Sequence, residues 1–357
     1  MKEGFMSNLN IQIYQNEFPD ALVQWCNNIA QVMCEPSFFC SGDWIASAMR
    51  FEQYVEIIVV SEGVTQDLVA VLPVGIKRNF LGGIDGRMLG VQFHPDPVGL
   101  VCKKERRTEA AAKIRHYFKA ELNWDSLTID WTTGAECEAW GAAGEKQAVA
   151  PYLQIDIGFA EVLARFRKKK RYNIKASVKQ LMEVEGASFM ECITQEEKQV
   201  CFQEFFRLHQ MRAQERGIES SVTGSDFFEH HSTLLRESDY ATIFKLEIDN
   251  QMLAVIYGFA FSNRFFYYQV AHNPEFGELS PGKVILYEAI SHYSNIGYKE
   301  FNFLQGDEEY KGLWTNEKRQ LFRLRLERRN LRTLTFRILG VMKSCLKRLR
   351  KRLRYGY

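Results

Sequence analysis

The stretch from Arg264 to Trp314, RFFYYQVAHNPEFGELSPGKVILYEAISHYSNIGYKEFNFLQGDEEYKGLW, narrows the fold more than any other part of the chain. Its aromatic and β-branched opening predicts a strand over 264–271, and a polar loop and a Ser-Pro-Gly turn follow. A helix over 283–295 and a second strand over 298–304 come next. The segment ends in a loop crowded with Asp307, Glu308, Glu309, Tyr310, Lys311 and Trp314. A Gly-containing turn feeding a helix start beside a strand end is where α/β enzymes hold phosphate-bearing cofactors. The next loop then brings charged groups to the same rim of the sheet. This arrangement predicts an enzyme rather than a binding module.

The length of 357 residues suits two domains with ample cores. A formal net charge of +2 is too small to imply a generic nucleic-acid binder and directs attention to two local basic clusters. The 8 cysteines are scattered without a CxxC pair, which argues against a zinc site and predicts reduced thiols in a cytoplasmic protein. MKEGFMSNLN has no apolar run of signal-peptide length. No run approaches the roughly 20 apolar residues of a membrane span. There is no GxSxG elbow and no Walker loop, so hydrolase and nucleoside-triphosphatase readings have no support.

Before residue 150 the pattern predicts a strand at 11–14, helices at 20–31 and from Pro36 to Met49, and a hairpin of 55–61 with 68–76. A helix at 104–121 and a strand at 126–131 follow, and GAECEAWGAAGEKQ predicts an irregular junction. The second part repeats the order: a strand at 187–192, helices at 195–215 and 226–236 with Ser225 as cap, and a hairpin through Asp249-Asn250. The strand–helix–strand unit then leads to a strand at 320–327 that closes the sheet. Two tandem copies of one α/β unit account for this succession. The expected domains are therefore 1–150, 151–330 and a tail, 331–357.

Three ordered blocks resemble a known family. They are Lys170-Arg171-Tyr172-Asn173; Leu208-His209 with Arg212 and Gly217; and Leu279-Ser280-Pro281-Gly282 running through Phe303-Leu304-Gln305-Gly306-Asp307 to Tyr310-Lys311 and Trp314. Over roughly residues 30–328 their order is similar to that of GNAT-fold acyltransferases of the CelD/BcsL type, relatives of the FemAB peptidoglycan transferases. The resemblance implies an α/β (α+β) fold of tandem GNAT-like (acyl-CoA N-acyltransferase) domains with mixed central sheets. It also implies acetyl-CoA or another acyl-CoA as co-substrate, no metal, and a role in making or decorating extracellular polysaccharide. Ordinary GNAT enzymes carry a Q/RxxGxG/A pyrophosphate loop, and this chain has Ser-Pro-Gly-Lys at that point.

Gly282 and Lys283 stand where helix N–H groups and dipole favour an anion, such as the donor pyrophosphate. The alternative is a plain helix start with Ser280 as cap and Pro281 first. Acyl transfer needs a base and an acid. Asp307 is the first base candidate, Tyr310 the proton donor to sulfur, and Lys311 the anion or oxyanion contact. Against this stands a solvated acidic loop with Trp314 as packing anchor. His209 shares a helix face with Arg212 and is the second base candidate; the alternative is a core-edge histidine. By fold analogy, backbone N–H groups at Val270 and Ala271 polarise the thioester carbonyl. Within the basic run from Arg165 to Lys179, Arg171 and Asn173 match the family pattern and are singled out for donor or acceptor contacts, whereas most such runs are solvated faces.

Apolar positions recur at helical spacing over 331–352, and Lys and Arg crowd 343–354, so the tail predicts a basic amphipathic helix. Such a helix suits an anionic membrane surface, the catalytic domain, or nucleic acid. The leading function is transfer of an acetyl or acyl group from acyl-CoA to an amine or hydroxyl of a small molecule or glycan precursor, with no specific nucleic-acid partner. The alternatives are a FemAB-like aminoacyl-tRNA-dependent transferase and a non-catalytic scaffold for polysaccharide synthesis.

Overall fold

Two left-handed dipeptides turn the chain tightly in its second half, Asp249-Asn250 (φ 48° and 66°) and Ser262-Asn263 (φ 51° and 56°). Short polar side chains tolerate this conformation, and two-residue hairpin loops require it. The computed structural model describes residues 8–79, 82–215, 217, 224–328 and 335. Along the chain it contains β1 (Leu9–Gln15), α1 (Asp20–Val32), α2 (Gly42–Met49), β2 (Val55–Glu62), β3 (Leu68–Arg78), β4 (Ile84–Met88), β5 (Val101–Cys102), α3 (Arg107–Ala120) and β6 (Ser126–Thr132). Then come α4 (Gly134–Ala139), β7 (Glu145–Gln154), α5 (Phe159–Ala164), α6 (Lys168–Met182), β8 (Ala187–Glu191), α7 (Gln195–Glu215) and α8 (Ser225–Glu237). The last elements are β9 (Ala241–Ile248), β10 (Gln251–Phe261), β11 (Arg264–His272), α9 (Pro281–Asn295), β12 (Glu300–Asn302) and β13 (Lys318–Glu327).

The described residues divide into two units, one holding Asn8–Leu22, Met49–Gln147 and Phe322–Arg328, the other lying within Val23–Ala48 and Ala148–Leu321. The expected cut at 150 lies beside the crossing after Gln147; the chain crosses also after Leu22, Ala48 and Leu321. In the first unit the strand order is β1-β2-β3-β4-β6-β13, with β5 on β3. Every pair there is antiparallel except β4 with β6. In the second unit the order is β8-β9-β10-β11-β12-β7, again antiparallel except for one pair, β11 with β12. The two orders are the same. A four-strand meander, a helical crossover (α3 or α9) to a parallel neighbour and an antiparallel last strand make up each sheet, so the tandem mixed-sheet expectation holds.

The closing strands depart from the expectation. β7 follows β6 in the chain yet pairs with β12, through Gln154–Glu300, Leu153–Phe301 and Tyr152–Asn302. β13 follows β12 yet runs against β6, with Leu324 opposite Ile129 and Leu326 opposite Leu127. The strand expected to close the second sheet therefore closes the first. Local pattern specifies a strand but not its partner, which long-range burial decides.

The stretch expected to be irregular, GAECEAW, forms α4. Thr133 Oγ1 accepts from the Glu136 N–H at 3.2 Å and caps the turn. The buried Glu136 carboxylate pairs with Arg107 at 3.0 Å and accepts from Trp140 Nε1 at 2.7 Å and Leu100 N–H at 2.9 Å. A buried carboxylate is held only by such saturation of its oxygens. In the second unit the cap of α8 is Gly224, and Ser225 is its first residue.

The second core sits between β9–β11 and the helices α6 and α9, around Phe244, Ile256, Phe265, Ile285, Tyr293 and Phe301. On other residues of the same unit, Phe38 stacks on Phe259 with ring centres 4.0 Å apart. The tail expected to be a basic helix lies, Thr335 apart, outside the described residues. No helix among the described residues is long and apolar enough to cross a membrane.

Candidate active site

β12 is only three residues long, and its parallel ladder with β11 covers Arg264–Phe266 alone. β11 pairs with β10 on its other side as far as His272, so it runs on past the end of β12. The β10–β11 register also slips between Tyr257 and Gly258, which leaves Tyr268 as an extra residue and re-aims the strand after it. Gly258 permits the slip: a Cβ there would lie 2.4 Å from the Phe266 carbonyl oxygen and 2.5 Å from the Phe265 ring. Beyond the ladder's end opens a cleft of about 270 Å³. Its lining includes Arg212, Val270, Ser280, Lys283, Tyr310 and Trp314, with Gly282 and His272 beside them.

The start of α9 forms one wall. Ser280 is left-handed (φ 51°) and makes no side-chain cap, contrary to the expectation for it; its carbonyl accepts the N–H groups of Lys283 (2.9 Å) and Val284 (3.2 Å). Pro281 has no N–H, so Gly282 supplies the open donor of this first turn. A Cβ at 282 would stand 3.0 Å from His272 Nδ1. The Lys283 ammonium donates to Ser177 Oγ on α6 at 3.1 Å.

The loop after β12 forms the opposite wall. Asn302 Oδ1 accepts from the Leu304 N–H at 2.9 Å, fixing a left-handed turn (φ 56°). Lys311 is 4% exposed; its ammonium donates to the Gln305 carbonyl at 2.7 Å and pairs with Glu308 at 2.9 Å. It braces the loop and does not line the cleft. Asp307 is 64% exposed, pairs with Lys318, and stands outside the cleft as well. Tyr310 points inward, and its hydroxyl donates to Tyr267 Oη at 3.3 Å. Burial pushes the Tyr310 phenol up to about 12, while the Tyr267 hydrogen bond and Arg212 pull the other way. Tyr267 is also raised, by burial first and then by Tyr310. Both phenols stay protonated at neutral pH, so this side of the cleft offers a proton donor.

His209 is half-buried one helical turn before Arg212; burial first, and then the Arg212 charge, lower its pKa, so its imidazole is neutral near pH 7. Arg212 lines the cleft and His209 does not. Ala271 is buried in β11 next to Val270. Arg171 donates to the Ala164 carbonyl at 3.5 Å and Asn173 is exposed, so neither reaches the cleft. Lys170 reaches the 310–314 turn instead. Its ammonium donates to the Gly312 carbonyl at 3.4 Å and lies 4.4 Å over the Phe166 ring.

The structure thus gathers Arg212, Val270, Ser280, Gly282, Lys283, Tyr310 and Trp314, and leaves Asp307, Lys311, His209, Ala271, Arg171 and Asn173 around them. Sequence reasoning missed Tyr267, whose alternation with Phe265 marks it as core, and His272. A bulge after Tyr267 was the signal that would have aimed attention there, and it is invisible without the pairing register. Among the described residues no three His, Cys, Asp or Glu side chains gather as a metal site.

Residues 168–312 match the family model described as acetyltransferase (GNAT) domain. The matched span contains α6, the β8–β12 sheet, α9 and the cleft up to Gly312. Among solved structures the chain is similar to FemX at 10% identity and a TM-score of 0.65, covering 88% of this chain and 97% of that one. It is similar to a conserved protein of unknown function from Bacteroides thetaiotaomicron at 10% identity and a TM-score of 0.59, covering 88% and 100%. L-PGS from Bacillus licheniformis follows at 9% identity and 0.52, covering 75% and 84%. At these identities the likeness is one of fold. Curated protein sequences give no match.

Proposed function

We propose that the protein moves an acetyl or related acyl group from an acyl-CoA thioester to an amine or hydroxyl of a sugar or other cell-envelope or exopolysaccharide precursor, working in the cytoplasm. One observation carries this reading. Inside the GNAT acetyltransferase domain, the β11–β12 ladder stops at Phe266 and the cleft beyond it joins a helix start to a protonated phenol. The donor thioester would lie along the end of β11, with backbone N–H groups at Val270 and Ala271 toward its carbonyl. The Gly282 N–H donates to its phosphates, and Lys283 and Arg212 supply the positive charge. The acceptor nitrogen or oxygen attacks the carbonyl carbon and the C–S bond breaks. Tyr310 gives its proton to the departing thiolate, and the acceptor's proton passes through water to His209, which is neutral but stands behind the cleft-lining Arg212. The family's CelD/BcsL type, to which the three sequence blocks are similar, supports the polysaccharide side of the proposal.

The fold likeness to FemX, an aminoacyltransferase, favours a second reading, in which the donor is an aminoacyl-tRNA. A thermal-shift panel of acyl-CoAs separates the two. A ligand bound at 100 times its Kd raises stability by about 2.7 kcal/mol. A shift with at least one acyl-CoA supports the first reading. No shift with any of them, together with amino-acid transfer from charged tRNA, replaces it by the second.

A further inference from the structure

α6 carries six cations and no carboxylate: Lys168, Lys169, Lys170, Arg171, Lys175 and Lys179. Four of these occupy its first turn, where the positive end of the helix dipole opposes them. Arg171–Lys175 and Lys175–Lys179 set like charges four residues apart, which opposes the helix again. The ion pair given to this helix among the described residues is Lys179–Glu183 at 3.7 Å, between two exposed side chains. Such a pattern works against local stability at several positions at once, and sequences keep conflicts of this kind where function needs them.

The cations are not spread evenly round the helix. Lys170 turns toward the 310–314 turn, to the Gly312 carbonyl and the Phe166 ring. Ile174 and Leu181 are buried on the core side. Outward, Lys168, Tyr172, Lys175 and Lys179 recur at steps of four, three and four, one straight stripe about 16 Å long at 1.5 Å per residue. Tyr172 at its centre is 72% exposed. Charge complementarity asks for a polyanion here, and the form of the stripe selects which. Its cations are all lysine, point charges on flexible stems, rather than the arginine forks that read phosphates in fixed geometry. They flank one amphipathic aromatic ring, the residue type that settles at headgroup level.

We propose that the outer face of α6 docks the protein on an anionic membrane surface, with Lys168, Lys175 and Lys179 among the headgroups and Tyr172 at the interface. Because Ser177 on the same helix accepts from the cleft-lining Lys283, the acceptor then comes from the membrane as a lipid-linked molecule. The lipid-linked acceptor rests on the proposed transfer reaction; the docking itself does not.

The test is flotation of the full chain with phosphatidylcholine vesicles holding roughly one-third phosphatidylglycerol, an assay that needs no acyl donor. Each near-surface cation contributes about fivefold in partitioning, so K168Q/K175Q/K179Q weakens binding about a hundredfold. The same triple variant melts no lower than wild type, because it removes repulsion. Y172S weakens binding a few-fold, and pure phosphatidylcholine vesicles bind little of any form. Wild type that ignores the anionic vesicles overturns the proposal. So does an α6 triple variant that binds like wild type while K343Q/K347Q/K351Q abolishes binding. If the α6 triple variant keeps vesicle binding but loses retention of poly(U), the stripe is an RNA contact and the membrane proposal is wrong.

Discussion

Replacing Tyr310 by Phe removes one oxygen from the cleft and leaves the ring in place. The lost hydroxyl donates to Tyr267 at 3.3 Å, a neutral hydrogen bond contributing about 1 kcal/mol, so the variant is expected to fold. Its effect on transfer is larger. With the phenol pushed up to about 12, only about one molecule in ten thousand is ionised at pH 8, and the acid form is present throughout the working range. Losing a positioned proton donor lowers kcat by about a hundredfold or more, equivalent to about 2.7 kcal/mol of barrier. The sign of the pH effect follows from the raised pKa. The folded state holds the proton between pH 10, the ordinary tyrosine value, and 12, where the unfolded state releases it. Tyr310 therefore contributes a loss of about 2.7 kcal/mol of stability across that window in wild type, and Y310F lacks that share. The assay is release of free CoA thiol, with substrate dependence to separate kcat from KM. A Y310F protein that keeps kcat within threefold of wild type, while wild-type activity is intact, refutes the role given to this phenol.

Other outcomes follow from the same geometry. His230 is buried against Trp44 and Ser47, with its pKa lowered to about 3 by burial, and the adjacent His231 lies well below its ordinary value for the same reason. The unfolded chain takes up these protons below about pH 6.5 and the folded chain does not, so stability falls by about 1.4 kcal/mol per pH unit for each histidine as pH drops from there toward 3. Urea midpoints at pH 6 and 4.5 should show this fall, and H231F should lessen it by one histidine's share; an unchanged slope contradicts the burial argument. G258A should destabilise by about 2–4 kcal/mol, because its Cβ would meet the Phe266 carbonyl oxygen at 2.4 Å; a midpoint equal to wild type would show the bulge to be slack. K311M should leave Glu308 and the Gln305 carbonyl without their cation, lowering the melting temperature by several degrees while the donor affinity measured by titration stays within a few-fold.

Much of the fold was legible because local chemistry decided it. Asp249-Asn250 announces a tight hairpin, and Ser-Pro-Gly a helix start. What could not be read were the choices made over long distances. β7 and β13 are equally good strands for either sheet, and only the assembled cores assign them. The charged loop shows the same limit for function. Asp307, Tyr310 and Lys311 look alike as candidates in sequence, yet burial turns Lys311 into a brace, exposure sets Asp307 aside, and only Tyr310 reaches the cleft. Tyr267 was hidden for the opposite reason, since an aromatic in an aromatic strand looks like packing until its hydroxyl finds a partner.

The central claim is that the cleft beside β11 and α9 holds the acyl donor. Gly277 lines that cleft and a Cβ added there meets nothing within 4 Å, so G277W blocks the space without strain at its own backbone. Calorimetric titration of acyl-CoA into wild type and G277W, both checked for equal melting temperature, tests the claim most directly. The account predicts one saturable site in wild type and its loss in G277W. Equal binding by the two proteins, or none by wild type with any acyl-CoA, contradicts it.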